Sequence, residues 1–243
     1  MSDAAAQRVQ EIGENLREVR ERVAQACARA GRDSGAVTLI AVSKTKPIED
    51  VKAAIDAGQR DFGENYAQEL VEKVDALRAA GGEGSVGPGA TTFHFIGALQ
   101  SNKVKQVVGR AALVHTCDRP SLAQELAKRA ASAGIVQRVL IEVNLGGEEQ
   151  KGGCAIAETG TLLELVRGLP ALRCVGLMCI PPAEGDPRPH FRRLRELRDS
   201  LPRAGELREL SMGMSADYEV AIEEGATIVR VGTAIFGARM KRA

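Results

Sequence analysis

Histidine is scarce in this sequence. The three residues, His94, His115 and His190, are too dispersed to suggest a metal set. Cysteine is sparse and odd in number, with Cys27, Cys117, Cys154, Cys174 and Cys179. Their spacings match no zinc pattern, so they read as buried or incidental free thiols. Tyrosine occurs only at Tyr66 and Tyr218, which leaves few phenolic acid–base candidates. An excess of one charge is also missing: 33 basic side chains face 32 acidic ones, for a formal net charge of +1. Nothing in that balance demands nucleic acid or an anionic membrane as a partner. No window approaches the apolar length of a membrane span. The first residues, MSDAAAQRVQEIGENL, are polar and helical in pattern, without the apolar core of a signal peptide. A cytoplasmic protein is the expectation.

What is present suits one large domain. The chain has 243 residues, 44% hydrophobic and 27% charged, ordinary values for a globular protein. The expected layout is a single domain over 1–243, with an N-terminal helix in 1–31 and the body of the fold in 37–243. The organising stretch is VTLIAVSKTKP (37–47), an apolar, partly β-branched run that reads as a strand buried on both faces. With a side-chain period of two, Lys44 shares a face with Val42, Ile40 and Thr38. A lysine there either snorkels into water or is a desolvated amine able to form a Schiff base.

The pattern then alternates. Ile12, Leu16, Val19, Val23, Ala26 and Ala30 draw the stripe of a helix over 4–30. Eight strands are expected to begin at Val37, Asp61, Thr91, Ala112, Gln137, Leu172, Glu209 and Thr227. A helix follows each; that over 215–224 is expected to take Ser215 as its N-cap. The stretch 81–90, GGEGSVGPGA, reads as a glycine-rich surface loop. Strict alternation means a parallel sheet with right-handed crossovers. Eight units in about 200 residues point to an α/β fold, a (β/α)₈ TIM barrel, with the N-terminal helix as an addition. The competing doubly wound sheet lacks its glycine fingerprint at SKTKP (43–47).

In such a barrel, chemistry sits where strands end. The ends give Lys44, Glu64-Asn65, Ile96-Gly97, Asp118, Asn144, Ile180-Pro181, Met212 to Ser215 and Arg230 to Thr233. Met212-Gly213-Met214-Ser215 and Gly232-Thr233 each run into an expected helix N-terminus, so two such termini with the Ser215 and Thr233 hydroxyls form a candidate anion site. A phosphate there, opposite an amine at Lys44, describes pyridoxal 5′-phosphate. Arg230, on the parity of Ile228 and Gly232, points into the barrel mouth. It is either an ion-pair partner or the residue that meets a pyridine nitrogen. Blander roles stay open for the others: N-caps for Ser215 and Thr233, loop bracing for Asn65 and Asn144, packing for Met212 and Met214.

These motifs resemble the YggS/PROSC family, the pyridoxal phosphate homeostasis protein family. The matching segments are AVSKTKP (41–47), FGENYAQEL (62–70), FHFIGALQSNK (93–103), VNLGGEEQKGG (143–153), GLMCIPP (176–182) and LSMGMSADYEVAIEEGATIVRVGTAIFG (210–237). The resemblance implies a fold-type III barrel like the N-terminal domain of alanine racemase, with Lys44 as the Schiff-base lysine. It also implies Arg230 at the pyridine nitrogen, Ser215, Gly232 and Thr233 around the phosphate, and Asn65 and Met212 near the ring. Phe93 departs from the family, which often has tryptophan there; the expectation is altered packing beside the site. Glu148 and Lys151 sit on a loop expected to close over the cofactor or bind a partner.

The function implied is a non-enzymatic carrier. It would hold pyridoxal phosphate as a reversible imine and buffer it or hand it to apo-enzymes. A chain ending at Ala243 leaves no room for the second domain of a racemase, so a non-catalytic monomer is expected. The alternative is a pyridoxal phosphate-dependent amino acid racemase or related enzyme. It needs a general base facing Lys44, and neither Tyr66 nor Tyr218 falls at a strand end. A cofactor-free Schiff-base aldolase is the third reading.

Overall fold

The computed structural model describes residues 3–81, 87, 90–148 and 152–238. Most of the expected glycine-rich loop, and Lys151, lie outside the described residues. The chain opens with α1 (Asp3–Arg29), followed by β1 (Thr38–Val42), α2 (Ile48–Asp56), β2 (Asp61–Glu64) and α3 (Ala67–Ala80). Next come β3 (Thr92–Phe95), α4 (Val104–Val107), β4 (Leu113–Cys117), α5 (Pro120–Ser132) and β5 (Gln137–Asn144). After β6 (Cys154–Ala155) and α6 (Thr159–Arg167) follow β7 (Leu172–Met178), α7 (Arg188–Ser200), β8 (Glu209–Met214), α8 (Tyr218–Glu223), β9 (Ile228–Val231) and α9 (Thr233–Phe236).

Every strand pairing is parallel, as short apolar strands joined by helices require. The ring runs β1-β2-β3-β4-β5-β7-β8-β9 and closes where β9 pairs β1 and β4 pairs β5. This is the expected (β/α)₈ barrel. The two-residue β6 pairs only with the end of β5 and stays outside the ring; no sequence pattern announced it. The expected stripe on α1 is buried, from Ile12 through Ala26, because α1 packs across α2, α8 and α9.

Alternation along the strands makes two interiors. Between strands and helices lies a continuous apolar shell that includes Phe62, Leu70, Val74, Phe93, Leu122 and Phe191. Within the ring lies a small apolar cluster of Ile40, Leu113, Leu140, Val175, Met178 and Ile228. Phe93 belongs to the shell, its ring stacked on Phe62 at 5.7 Å. The substitution there therefore alters packing behind the wall of the barrel, and the expectation of altered packing beside the site is corrected.

The segment after β8 is a second correction. Its helix begins at Tyr218, with Asp217 in the N-cap position, and not at Ser215. The Asp217 carboxylate accepts from the Met214 amide at 2.6 Å, which holds residues 214–217 as a turn and delays the helix. Among the described residues all five cysteines are free thiols, no metal-ligating group is assembled, and no helix is long and apolar enough to cross a membrane.

Candidate functional site at the carboxyl ends of the strands

Lys44 lies two residues beyond Val42, a lumen-lining residue, and is half-buried. The backbone on either side of it is pinned. Ser43 before it is buried and donates its hydroxyl to Glu64 Oε1 at 2.6 Å. The Lys73 ammonium, buried on α3, donates to the Ser43 carbonyl at 2.6 Å and to Glu64 Oε1 at 2.7 Å. Burial pushes the Glu64 carboxyl up to about 7, against the pull of Lys73. Thr45 after Lys44 has φ of 63°, a left-handed conformation that a β-branched residue adopts only under constraint. The constraint is visible: the Thr45 amide donates to Glu69 Oε2 at 2.7 Å. Lys46 then donates to the Phe236 carbonyl at 2.8 Å and ties this turn to the end of α9. Strain and ion pair together fix where the Lys44 stem leaves the chain.

Arg230 comes from β9 and is 4% exposed. Its Cα register is with Ile40, so it rises from the floor of the mouth. The guanidinium donates to Ser211 Oγ at 2.6 Å and to the Cys179 carbonyl at 3.0 Å. Burial lowers its pKa from the ordinary arginine value, and Cys179, Glu142 and Asp217 act the other way. An arginine still carries its charge across the physiological range and can only donate.

The ends of β8 and β9 meet. The Ser215 hydroxyl, freed from any capping role, accepts from the Gly232 amide at 3.2 Å. Gly213, at φ 92°, turns the chain where a side chain would stand 2.6 Å from the Ala221 Cβ. Gly232 lies against β1, and a Cβ there would meet Val42 at 3.3 Å. That close approach brings the first-turn amides of α9 to the mouth, at Thr233 and Ala234, where helix geometry provides no intrahelical acceptor. α8 and α9 span six and four residues, so individual amides rather than a long helix dipole supply positive character. Thr233 is exposed and Ser215 half-buried, beside each other at this edge.

The remaining expected residues divide. Asn65, just after β2, is half-buried, and its side-chain oxygen is buried without a hydrogen-bond partner. Met212 is fully buried in the outer shell, so its backbone and not its thioether faces the mouth. Asn144 donates to the Glu148 carbonyl at 2.8 Å and braces the loop after β5. The reading of that loop that invokes Lys151 falls outside the described residues. Tyr218 is buried against α1 beneath Arg22, and the exposed Tyr66 lines an outer groove with Arg8, Lys46 and Asp50.

Glu142 is a residue that sequence reasoning missed. It lies in β5 on the lumen parity of Leu140 and is 6% exposed. Burial pushes its pKa up to about 7; Asp118 adds to the rise and Arg230 opposes it. The signal was available: one acidic residue interrupts the apolar run VLIEVN (139–144) two positions before the strand end.

The arrangement offers a pinned lysine, a buried guanidinium and a cradle of amides and hydroxyls at one end of one barrel. Comparison with known proteins places it in company. The alanine racemase N-terminal domain family matches residues 10–240. A protein of Aquifex aeolicus named pyridoxal phosphate homeostasis protein is 48% identical over 231 residues, covering 93% of this chain and 97% of the relative. The Escherichia coli K12 protein of the same name is 42% identical, covering 94% and 97%. Among solved structures, PipY of Synechococcus elongatus with PLP bound superposes with a TM-score of 0.77 at 33% identity, over 93% of this chain and all of that one. Alanine racemase from Streptomyces coelicolor shares the fold at a TM-score of 0.69 and 20% identity, over 95% of this chain and 59% of the racemase.

Proposed function

This chain belongs to the pyridoxal phosphate homeostasis protein family, within the wider alanine racemase N-terminal domain family, and on that premise we propose that it binds pyridoxal 5′-phosphate at the carboxyl end of its barrel. It holds the cofactor as a Schiff base on Lys44 and buffers or delivers it to apo-enzymes, without catalysis of its own. The reading takes residues 1–243 as one cofactor-binding domain, working as a cytoplasmic monomer.

The residues present fit the cofactor. The first-turn amides of α9 at Thr233 and Ala234, with the Ser215 and Thr233 hydroxyls, suit a phosphate, and a side chain at Gly232 would press on Val42 at 3.3 Å. The buried, unpartnered oxygen of Asn65 suits a polar ring substituent. Bound pyridoxal phosphate supplies an aldehyde that an amine captures and a ring that withdraws electrons. Arg230 would stand at the ring nitrogen. A guanidinium does not give up its proton, so that nitrogen stays an acceptor and the ring a weak electron sink. That suits holding more than catalysis. The observation that carries the reading is the lysine at the end of β1, its backbone neighbours held on both sides, on the same rim as the joined β8 and β9 ends.

A visible absorbance spectrum tests it. Wild type mixed with pyridoxal phosphate is expected to show the yellow band of a protein-bound imine, and Lys44→Ala to lack it. A wild type that stays colourless at saturating cofactor would sink the proposal.

One observation favours a second reading, a fold-type III enzyme. Glu142 is a buried carboxyl at the mouth with a pKa suited to general acid–base work. Incubation with single amino acid enantiomers in deuterated water separates the two. Sustained α-proton exchange, abolished by Glu142→Gln, would establish the enzyme; no turnover supports the carrier.

A further inference from the structure

A line of hydrogen bonds crosses the barrel lumen. Arg230 Nη1 donates to Ser211 Oγ at 2.6 Å. Ser211 Oγ meets His115 Nδ1 at 2.9 Å, reaching from β8 to β4 across the ring. His115 Nε2 meets His94 Nδ1 at 3.0 Å, and His94 Nε2 meets Asp61 Oδ1 at 3.1 Å. Arg230, Ser211, His115 and His94 are all at most 6% exposed. Asp61 opens β2, at the end of the barrel away from Lys44, and its side chain is 33% exposed. The line therefore joins the floor of the barrel to the arginine at its mouth.

The two ends set the direction of every link. Arginine can only donate and an ionised carboxylate can only accept. Each neutral imidazole has one N–H and one acceptor nitrogen, and serine has one O–H. So Ser211 donates to His115, His115 donates from Nε2 to His94, and His94 donates from Nε2 to Asp61. With both rings neutral, this direction makes both histidines Nε2–H tautomers. One extra proton on His94 reverses the middle of the line: His115 then donates from Nδ1 to Ser211, which becomes an acceptor from both sides. The groups facing the line are few. Cys179, Glu142 and Asp217 act on Arg230, and His94, Arg230 and Arg138 act on His115. Burial, with the positive side chains around it, pulls the His115 pKa well down and keeps that ring neutral.

Apolar residues would fill this lumen at lower desolvation cost, as they do beside it. A fully satisfied polar line holds one arrangement and transmits charge through a low-dielectric interior. We infer that Asp61, His94, His115 and Ser211 form a positioning relay for Arg230, which orients its guanidinium and passes the charge at the barrel floor to the ring-nitrogen end of the cofactor site. The inference rests on the cofactor reading above for its site, while the relay itself is a property of the protein alone.

The test has two arms. In cofactor-free protein, nitrogen-15 NMR of labelled histidine is expected to show Nε2–H tautomers at His94 and His115. Asp61→Asn is expected to give mixed tautomers, because the charge that sets the direction is gone. In cofactor-loaded protein, the midpoint of the pH titration of the visible band is expected to move by roughly half a pH unit, a threefold change in protonation ratio, in Asp61→Asn. Ser211→Ala should move it further and Ser211→Thr should restore it. Asp75→Asn, a surface carboxylate paired with Arg110 outside the line, should leave it in place. Unmoved tautomers, or a midpoint unmoved by both Asp61→Asn and Ser211→Ala, would overturn the relay. A wild type that takes up no cofactor would defeat the functional reading and leave the tautomers to decide the relay.

Discussion

The two interiors of this barrel do different work. The shell between strands and helices is largely apolar, with Phe62 stacked on Phe93 and α3 packed against β2 and β3. Among the described residues its one ion pair fully inside is Lys73 with Glu64, beneath Lys44. The lumen has only a small apolar cluster, and beside it lie Arg230, Ser211, His115, His94 and Glu142, all buried. An interior of the second kind is expensive in desolvation and contributes little net stability. The contrast assigns most folding stability to the shell and the placing of Arg230 to the lumen.

Substitutions on either side can break that division. The largest stability loss is expected in the shell. Phe93→Ala removes a ring that is fully buried and should lower unfolding free energy by about 3–5 kcal/mol in a denaturant titration. Its affinity for pyridoxal phosphate, measured well below the unfolding midpoint, should stay near wild type. A large loss of affinity there would mean that shell and lumen are not separable.

Glu142→Gln should act in the opposite sense. The folded-state pKa of about 7 stands above the ordinary 4.5, so the native state holds this proton more tightly than the unfolded chain. The stabilising contribution is therefore full below pH 4.5 and is lost as pH rises through about 7. The shift corresponds to at most about 3 kcal/mol. Unfolding measured at about pH 5 and about pH 8 should show wild type losing stability over that interval and Glu142→Gln losing less. A variant less stable than wild type at the higher pH would show that the ionised carboxylate is well paired.

Gly213→Ala sharpens the comparison at the seam. The added Cβ meets Ala221 and Tyr218 at a φ of 92°, so about 1–3 kcal/mol of stability should be lost together with cofactor affinity. The smallest effect is expected at Lys46→Met. It removes the hydrogen bond to the Phe236 carbonyl, worth about 1 kcal/mol, and leaves the visible band of the loaded protein in place. Loss of that band would make Lys46, not Lys44, the amine that matters.

Much of this was legible in the chain. Parallel strands buried on both faces are short apolar runs, so all eight barrel strands stand out, and with them the position of Lys44. Arg230 followed from parity. What stayed hidden was set by contacts between distant residues. Ser215 has the chemistry of an N-cap, but the Asp217 carboxylate captures the Met214 amide and starts the helix three residues later. Met212 sits where the register between β8 and β9 shifts, which side-chain periodicity does not reveal. His94 and His115, too dispersed in sequence for a metal set, meet Asp61 and Ser211 only because the ring closes. Glu64 and Lys73, which pin the base of Lys44, belong to different elements and carry no local signature.

The central claim is that the lysine at the end of β1 is the covalent tether. Borohydride reduction of the cofactor-loaded protein, followed by proteolysis and mass spectrometry of the peptides, locates the trapped amine directly. The account predicts a single reduced pyridoxyl-phosphate adduct on Lys44, absent from Lys44→Ala. An adduct on Lys46 or any other lysine with Lys44 unmodified would contradict it.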